Sequence, residues 1–386
     1  MIRFSEGSYA LRIILKIALA GEFPFKALDM IGDKVMIQRS LRKLKEEEYV
    51  TINGSSDYKT IRLTKKALNV IKNYNESYYN YYMSITDNHH FRAGTYKSNN
   101  VGVRQTLRRH RLAEVQCMLD DLGILMWPDE KPSLSLDEKA ARITPNDYIF
   151  YTSRELKNFD TKQKYKTEFT RILGTLYSPG GIYCLYNTNK GLIKWHKQGE
   201  QKAQVLVEDI TNMNYDYSFG INPQISNSVI FGKDQKIILD ILSPNDGKRD
   251  VNGFELLSFD NTYDNIYYIT LDEYGIKQLA ILLEENWKDK LKKVIFPSDI
   301  LKNNTNYSTI DCDVFDKDNN NFILMFFDGN IARLRRFKEA IYGVKNRTFQ
   351  VLCFPWQEEA VKEYMNNMAE ITVINYEDFK DDFFDN

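Results

Sequence analysis

Three aspartates late in the chain have the types and spacing that metal-dependent phosphodiester chemistry uses. In "TIDCDVFDKDNNNFILMFFDGN", Asp311 and Asp313 stand at the start of one β-forming run, and Asp328 stands at the end of the next. Because alternate residues of a strand project from one face, Asp311 and Asp313 would share a side and Asp328 would approach from the partner strand. Such carboxylates can hold Mg²⁺ for a nuclease. The alternative is that they are solvated caps at strand ends and turns.

Positioning these aspartates requires a layered domain, and the last third of the chain predicts one. The segments "NIYYITLD" and "KVIFP" are strand-like, and they flank the helical segment "EYGIKQLAILLEENWKDKLK". The two aspartate-bearing runs then begin a β-β-α-β-α-β order that ends in "EITVINY". This order predicts helices packed on a mixed sheet. It is compatible with a restriction-endonuclease-like core and with several other sandwiches.

Length and composition describe a folded chain of more than one domain. At 386 residues the chain exceeds what one hydrophobic core usually serves, and 43% of its residues are apolar. No window approaches the roughly 18 apolar residues of a membrane span. The N-terminal segment "MIRFSEGSYALRIILKIALAGEF" has charges within its apolar run, which predicts an amphipathic helix rather than a signal peptide. We therefore expect a cytoplasmic protein with no membrane partner.

The N-terminal segment 8–73 has the clearest local pattern. "SYALRIILKIALAGE" and "FPFKALDMIG" predict two helices, and Asp33 can cap a third, "DKVMIQRSLRKLKEEEYV". The alternating "YVTINGSSDYKTIRLT" then predicts a two-stranded hairpin around a polar turn. Helix, helix, basic helix and hairpin in this order are typical of a winged helix-turn-helix.

The third helix has the residue types of a DNA-recognition helix. Ile37, Leu41 and Leu44 form an apolar stripe that would hold the helix in place, while polar and cationic side chains fall on the other face. Such a face can enter the major groove, and a polar wing can contact phosphates. Winged helices also serve as docking modules, and a basic face is often only solvated. The candidate DNA contacts here are Lys34, Gln38, Arg39, Arg42, Lys43 and Lys45 on the helix, and Ser55, Ser56, Tyr58 and Lys59 on the wing.

A second basic helix follows in "VGVRQTLRRHRLAEVQCMLDDLGI". Arg104, Arg108, Arg109 and Arg111 are candidates to extend the phosphate-contacting surface. The alternative is that His110 and Arg111 pair with acidic neighbours in the next domain.

Several segments together resemble the replication-relaxation proteins of plasmids and conjugative elements in Gram-positive bacteria. They are the predicted winged helix, "LRRHRLAEVQCML", "YTSRELK…EFTRILGTLYSPGGIYCLYNTNKGLIKW" and "DCDVFDKDNNNFILMFFDGNIARLRRFKEAIYG", and they span most of the chain. The resemblance implies a winged helix joined to a degenerate restriction-endonuclease-like domain. It also implies a role in plasmid replication, or in relaxing and mobilising plasmid DNA.

The late block departs from the pattern of that family. The family pattern has an acidic residue in one strand, a Glu-x-Asp pair at the end of the next, and a basic helix ending in Tyr. Here Phe326 stands two residues before Asp328, and no lysine follows at the spacing that a nuclease of this fold uses. We therefore predict a non-catalytic domain with no catalytic residue, metal ligand or cofactor. Mg²⁺ is expected as a cofactor only if Asp311, Asp313 and Asp328 form a nuclease site.

We expect a sequence-specific double-stranded DNA-binding protein of a plasmid or conjugative element, acting in replication initiation or in DNA relaxation and transfer at an origin. The expected partners are DNA, a second copy in a homodimer, and replication or transfer proteins. Two alternatives are a relaxase-like Mg²⁺-dependent nickase or nuclease and a transcriptional regulator of a mobile element. The predicted fold class is α+β, with a winged helix at 1–75, a helical connector at 76–136, an α+β region at 137–250 and a nuclease-like α/β domain at 251–386.

Overall fold

The computed structural model describes residues 2–85, 100–137, 139–159, 170–220, 225–243, 257, 259, 262–303, 310–344 and 346–385, without the side chains of 100–102, 104, 302 and 303. The chain is α+β, as predicted, and forms two compact units. The first unit comprises Met1–Ser133 and Lys139–Ala141, and the second comprises Leu134–Glu138 and Arg142–Asn386. The first two predicted regions thus lie largely in the first unit, and the last two lie largely in the second unit. None of the described helices is both long and apolar enough to cross a membrane.

The first unit combines helices with a small antiparallel sheet whose strand order is β1-β3-β2. Its elements are α1 (Tyr9–Ala20), β1 (Phe23–Pro24), a 3-10 helix (Phe25–Met30), α2 (Lys34–Glu46), β2 (Val50–Asn53), β3 (Thr60–Leu63), α3 (Lys65–Tyr74), α4 (Glu76–Ile85) and α5 (Asn100–Asp121).

Local sequence signals explain where α2 begins and which face it buries. The Asp33 side chain caps the helix by accepting a hydrogen bond of 2.9 Å from the backbone N–H of Met36. Ile37, Leu41 and Leu44 are its buried residues, as the sequence predicts. The predicted second helix is present as the 3-10 helix after Pro24. The helices and the hairpin strands therefore follow the predicted order, whereas the short strand β1, which pairs with β3, is not predicted.

The second unit begins with a five-stranded mixed sheet of order β4-β5-β6-β7-β8. Pairing is antiparallel from β4 to β6 and parallel from β6 to β8. The elements are β4 (Ile149–Thr152), α6 (Ser153–Phe159), β5 (Gly174–Ser178), β6 (Gly181–Asn189), α7 (Lys197–Asn214), β7 (Asn227–Gly232), α8 (Ile237–Leu242), β8 (Asn265–Thr270), α9 (Glu273–Leu283), α10 (Trp287–Ile295) and α11 (Ser298–Asn303).

A four-stranded mixed sheet of order β12-β11-β10-β9 completes the second unit. The predicted β-β-α-β-α-β order is present, and the two aspartate-bearing runs form the antiparallel hairpin β9–β10. The elements are β9 (Val314–Asp316), β10 (Asn321–Met325), α12 (Ile331–Ile341), β11 (Thr348–Cys353), α13 (Glu358–Met365), β12 (Glu370–Val373) and α14 (Lys380–Phe384).

One predicted strand is wrong. Of the segment "KVIFP", Lys293 to Ile295 form the last turn of α10. The chain leaves α9 at Leu283, and Asn286 takes a left-handed conformation with φ 51° before α10 begins. A new helix can therefore start at Trp287 and include residues whose β-branched side chains favour a strand when considered alone.

The same topology occurs twice in the second unit. In each case an antiparallel hairpin is followed by two helix-connected parallel strands, first as β5-β6-α7-β7-α8-β8 and then as β9-β10-α12-β11-α13-β12. Residues of both sheets belong to one hydrophobic core, including Ile230 and Tyr268 from the first sheet and Leu324 and Val351 from the second. The hairpin with the aspartates lies in the second copy.

Candidate nucleic-acid interface and the aspartate–arginine cluster

The outward face of α2 is exposed and mostly polar. Val35, Arg39 and Arg42 follow the helical repeat directly opposite the buried stripe, so they lie at the centre of this face. All six candidate DNA contacts on the helix are exposed, namely Lys34, Gln38, Arg39, Arg42, Lys43 and Lys45. The structure therefore brings the predicted helix contacts together on one accessible surface.

Few of these cations have partners. Lys34 Nζ lies 3.5 Å from Asp29 Oδ2, and Arg42 Nε lies 3.7 Å from Glu46 Oε1, with all four side chains largely exposed. Exposed pairs of this kind contribute about 0–1 kcal/mol, so a phosphate can replace the carboxylate at little cost. Elsewhere on this face, the described residues provide no ion pair for Arg39, Lys43 or Lys45.

The turn between β2 and β3 has a fixed backbone shape and exposed polar side chains. Gly54 has φ 79°, and a Cβ atom added there would lie 2.6 Å from the carbonyl oxygen of Tyr58. Ser56 also has positive φ, at 49°. Glycine is therefore required at the first of these positions. Ser55, Ser56 and Tyr58 are exposed, and Tyr58 retains 44% of its accessible surface.

Lys59, the fourth wing candidate, lies over an aromatic ring. Its Nζ is 3.7 Å from the centre of the Phe25 ring, and its side chain is half-buried. Nearby, Lys26 forms an ion pair with Asp57. Both contacts tie the turn to the 3-10 helix, so they stabilise the wing against the body of the first unit.

A buried carboxylate accounts for one of the predicted phosphate contacts. Glu22 is fully buried; its Oε2 accepts hydrogen bonds from Arg62 Nε at 2.8 Å and Nη2 at 2.6 Å, and its Oε1 accepts one from Arg109 Nη1 at 3.3 Å. Burial alone would raise the pKa of Glu22, but the two guanidinium groups outweigh it and lower the pKa overall. Arg109 thus joins α5 to the hairpin, and we leave it out of the proposed DNA surface.

The other basic residues of α5 differ in exposure. Arg108 is exposed and Arg111 is half-buried, whereas the side chain of Arg104 lies outside the described residues. His110 is buried, and this burial lowers its pKa although Glu22 and Glu114 oppose the shift. The acidic neighbours of His110 thus belong to its own unit. Among the described side chains of this group, Arg108 is the exposed one.

In the second unit, the three aspartates lie around an arginine. Arg333 donates from Nε to Asp311 Oδ1 at 2.9 Å, from Nη1 to Asp313 Oδ2 at 3.2 Å and from Nη2 to Asp313 Oδ1 at 3.0 Å. Asp313 Oδ2 also accepts from the Met325 N–H at 2.7 Å, and Asp311 Oδ2 accepts from Arg336 Nη2 at 2.8 Å. The guanidinium group thus occupies the place between the carboxylates where a metal ion would be expected.

Asp328 lies deeper, and one of its oxygens has no partner. Its Oδ1 accepts a hydrogen bond of 3.0 Å from the Asn330 N–H, whereas its Oδ2 is buried without a hydrogen bond from any described residue. Burial raises the pKa of Asp328 to about 6, although the positive charges of Arg333 and Lys288 oppose this shift. Lys288 reaches this neighbourhood from α10, and nothing in the local sequence indicates it.

Contacts at the start of α12 fix the position of Arg333. The Asn330 side chain caps the helix by accepting from the Arg333 N–H at 3.1 Å, and its Nδ2 donates to Asn265 Oδ1 at 2.8 Å. Gly329 before it has φ 68°, and an added Cβ would lie 2.5 Å from the Tyr268 carbonyl oxygen. Two contacts to the edge strand β8 therefore fix the helix that carries the arginine.

These residues do not fit Mg²⁺. Both oxygens of Asp311 and Asp313 already accept hydrogen bonds from guanidinium groups, and Phe326 is a buried core residue with 1% of its surface accessible. Within the described part of the chain, no group of three His, Cys, Asp or Glu side chains is suited to a metal ion. We therefore derive no metal-dependent step from the three aspartates.

No protein-family model, curated protein or solved structure matches the chain. The resemblance to replication-relaxation proteins depends on the sequence segments alone and stays a prediction.

Replacement of Arg333 should destabilise the second unit strongly. Arg333→Met leaves Asp313 buried without its cation, and breaking a buried ion pair in this way costs about 3–5 kcal/mol. The control is Arg335→Met on the same helix, which pairs with the exposed Glu339 and lies 4.9 Å from the centre of the Phe259 ring, with an expected loss of about 1 kcal/mol. Chemical denaturation followed by circular dichroism measures both. Equal losses in the two variants would contradict the structural role of the cluster.

The ionisation of Asp328 should make stability fall as pH rises. Its pKa is raised from 3.8 to about 6 on folding, so between these values the folded state holds a proton that the unfolded state has released. The free energy of unfolding should therefore decrease by about 2 kcal/mol from pH 4 to pH 7 relative to Asp328→Asn, which cannot titrate. Denaturation at a series of pH values gives this difference. A difference that stays constant or grows with pH would show that Asp328 is ionised throughout.

Proposed function

We propose that the first unit is a winged helix that binds double-stranded DNA in a sequence-specific manner. In this proposal α2 enters the major groove and the β2–β3 turn lies against the sugar–phosphate backbone. The observation that carries the proposal is the accessible cationic face of α2, where Arg39 and Lys43 make no ion pair with described residues. The order of helices and strands supports the winged-helix assignment.

The geometry of α2 suits a major groove. With 13 residues it is about 20 Å long, and its diameter with side chains matches a groove about 12 Å wide. The apolar stripe is packed into the unit, so the opposite face projects away from it. Gln38 and Arg39 are the residue types that read adenine and guanine, and Arg42 and Lys43 are suited to phosphates. One helix therefore provides both base-reading and phosphate-contacting groups.

The proposed setting is a plasmid or conjugative element, in replication initiation or in DNA relaxation and transfer at an origin. The sequence resemblance supports this setting, and the β-β-α-β-α-β order of the second unit is compatible with a restriction-endonuclease-like core. Because Arg333 occupies the carboxylate cluster, we propose that this unit is non-catalytic. Its role would be self-association into a homodimer and recruitment of replication or transfer proteins.

Removal of two central cations from α2 should weaken DNA binding. For Arg39→Ala combined with Arg42→Ala, we expect a loss of affinity of about tenfold or more. The dependence of affinity on salt should also be shallower, because binding with fewer phosphate contacts releases fewer counterions. Fluorescence anisotropy with a labelled duplex from the parent element, measured at several salt concentrations, gives both quantities.

The matched control removes two positive charges elsewhere. Lys65→Ala with Lys293→Ala changes the net charge equally, and both lysines are exposed outside α2. This control should retain wild-type affinity. If both double variants bind as the wild type does, or if both lose the same affinity, α2 is not the interface. Footprinting on the parent element then separates the settings, because protected repeats at an origin favour replication or transfer and a protected promoter favours transcriptional regulation.

A further inference from the structure

Two large apolar side chains stand exposed on the otherwise polar face of α2. Val35 retains 54% of its accessible surface and Met36 retains 42%. Both lie in the first helical turn, immediately after the cap residue Asp33, which accepts a hydrogen bond from the Met36 N–H. The helix start that presents them is therefore fixed, although packing within the first unit does not cover them.

The two side chains share a surface with the candidate base-reading residues. Val35 lies three and four residues before Gln38 and Arg39, and Met36 lies three residues before Arg39, so each pair lies on adjacent helical turns. In a helix docked in the major groove, residues near the N-terminal end are those that reach base edges. Val35 and Met36 thus stand where base contacts are made.

We propose that Val35 and Met36 recognise the 5-methyl groups of thymine, and that the bound site carries thymine beneath the start of α2. This inference rests on the proposed DNA-binding function and specifies its substrate. In the major groove, the thymine methyl is the apolar group that a base edge presents. Exposed valine and methionine side chains lose their contact with water when they pack on the thymine methyl group. For contact with a phosphate, lysine or arginine would be better suited. Gln38 lies beside them and is suited to form hydrogen bonds with the adenine of the same base pair or of the neighbouring base pair.

The charge that surrounds Val35 and Met36 favours DNA as the partner of this face. Lys34, Arg39 and Lys43 flank it on the helix surface. An apolar protein partner would leave Arg39 and Lys43 without compensation, whereas a duplex supplies phosphates to the cations and methyl groups to Val35 and Met36. The mixed composition of this face therefore favours DNA over a protein surface.

The test starts from duplexes selected by the full chain from a random-sequence pool of double-stranded DNA. An enriched duplex is then synthesised with thymine and again with uracil at every thymine position, which removes the methyl groups and retains the base-pairing hydrogen bonds. Burial of one methyl group corresponds to about fourfold in affinity, so contacts to two methyl groups predict a loss of about tenfold or more in the uracil duplex. Competition anisotropy measures the ratio of the two affinities.

Variants assign the effect to the two residues. In Val35→Ala with Met36→Ala, the ratio of thymine to uracil affinity should fall toward one. The matched control is Val205→Ala with Met213→Ala on α7, because these side chains are of the same types and are exposed at 43% and 44%. The control should retain the wild-type ratio.

Different results would contradict thymine recognition and DNA binding. If the wild type binds selected DNA with equal affinity for thymine and uracil, or if the double variant at positions 35 and 36 keeps the preference, thymine recognition by these residues is wrong while DNA binding stands. If the chain neither enriches any duplex nor binds the random pool, the proposed function is wrong and the inference fails with it.

Discussion

The guanidinium group of Arg333 lies between two carboxylates, the buried Asp313 and the half-buried Asp311, and it shares Asp311 with Arg336. Its hydrogen bonds to Asp311 and Asp313 join the segment before β9 to the first turn of α12. The cap of that turn, Asn330, in turn contacts Asn265 at the start of β8. Burying a charge is costly unless it is paired, so the pairing of Arg333 with Asp313 holds this turn against β9, while Asn330 of the same turn contacts β8 of the other sheet. A residue set with the composition of a metal site thus has a structural role.

Each copy of the repeated topology has a polar contact at the corresponding place. In the first copy, Glu200 of α7 accepts hydrogen bonds from Thr170 Oγ1 at 2.5 Å and from the Arg171 N–H at 2.7 Å, just before β5. In the second copy, Arg333 of α12 contacts the aspartates just before β9. The first unit likewise buries Glu22 among arginines. Charges inside these units serve the fold, whereas the cations on α2 have few partners and are available for function.

The sequence predicts much of this arrangement where short-range signals decide the structure. The cap at Asp33 and the spacing of Ile37, Leu41 and Leu44 determine the start and orientation of α2, so its exposed face follows from local sequence. Contacts between distant segments carry no such signal. The pair of Arg109 with Glu22 joins residues 87 positions apart, and the approach of Lys288 to Asp328 depends on how α10 packs. The aspartates were therefore identifiable from the sequence, but their partner was not.

Incubation of the full chain with either Mg²⁺ or Mn²⁺ and a supercoiled plasmid that carries a duplex selected by the chain tests the central claim most directly. One gel reports both binding and cleavage. If the chain acts through α2 and the cluster around Arg333 is structural, the plasmid is retarded and stays supercoiled. Conversion to nicked or linear DNA that disappears in Asp328→Ala would contradict the account, because the aspartates would then be catalytic.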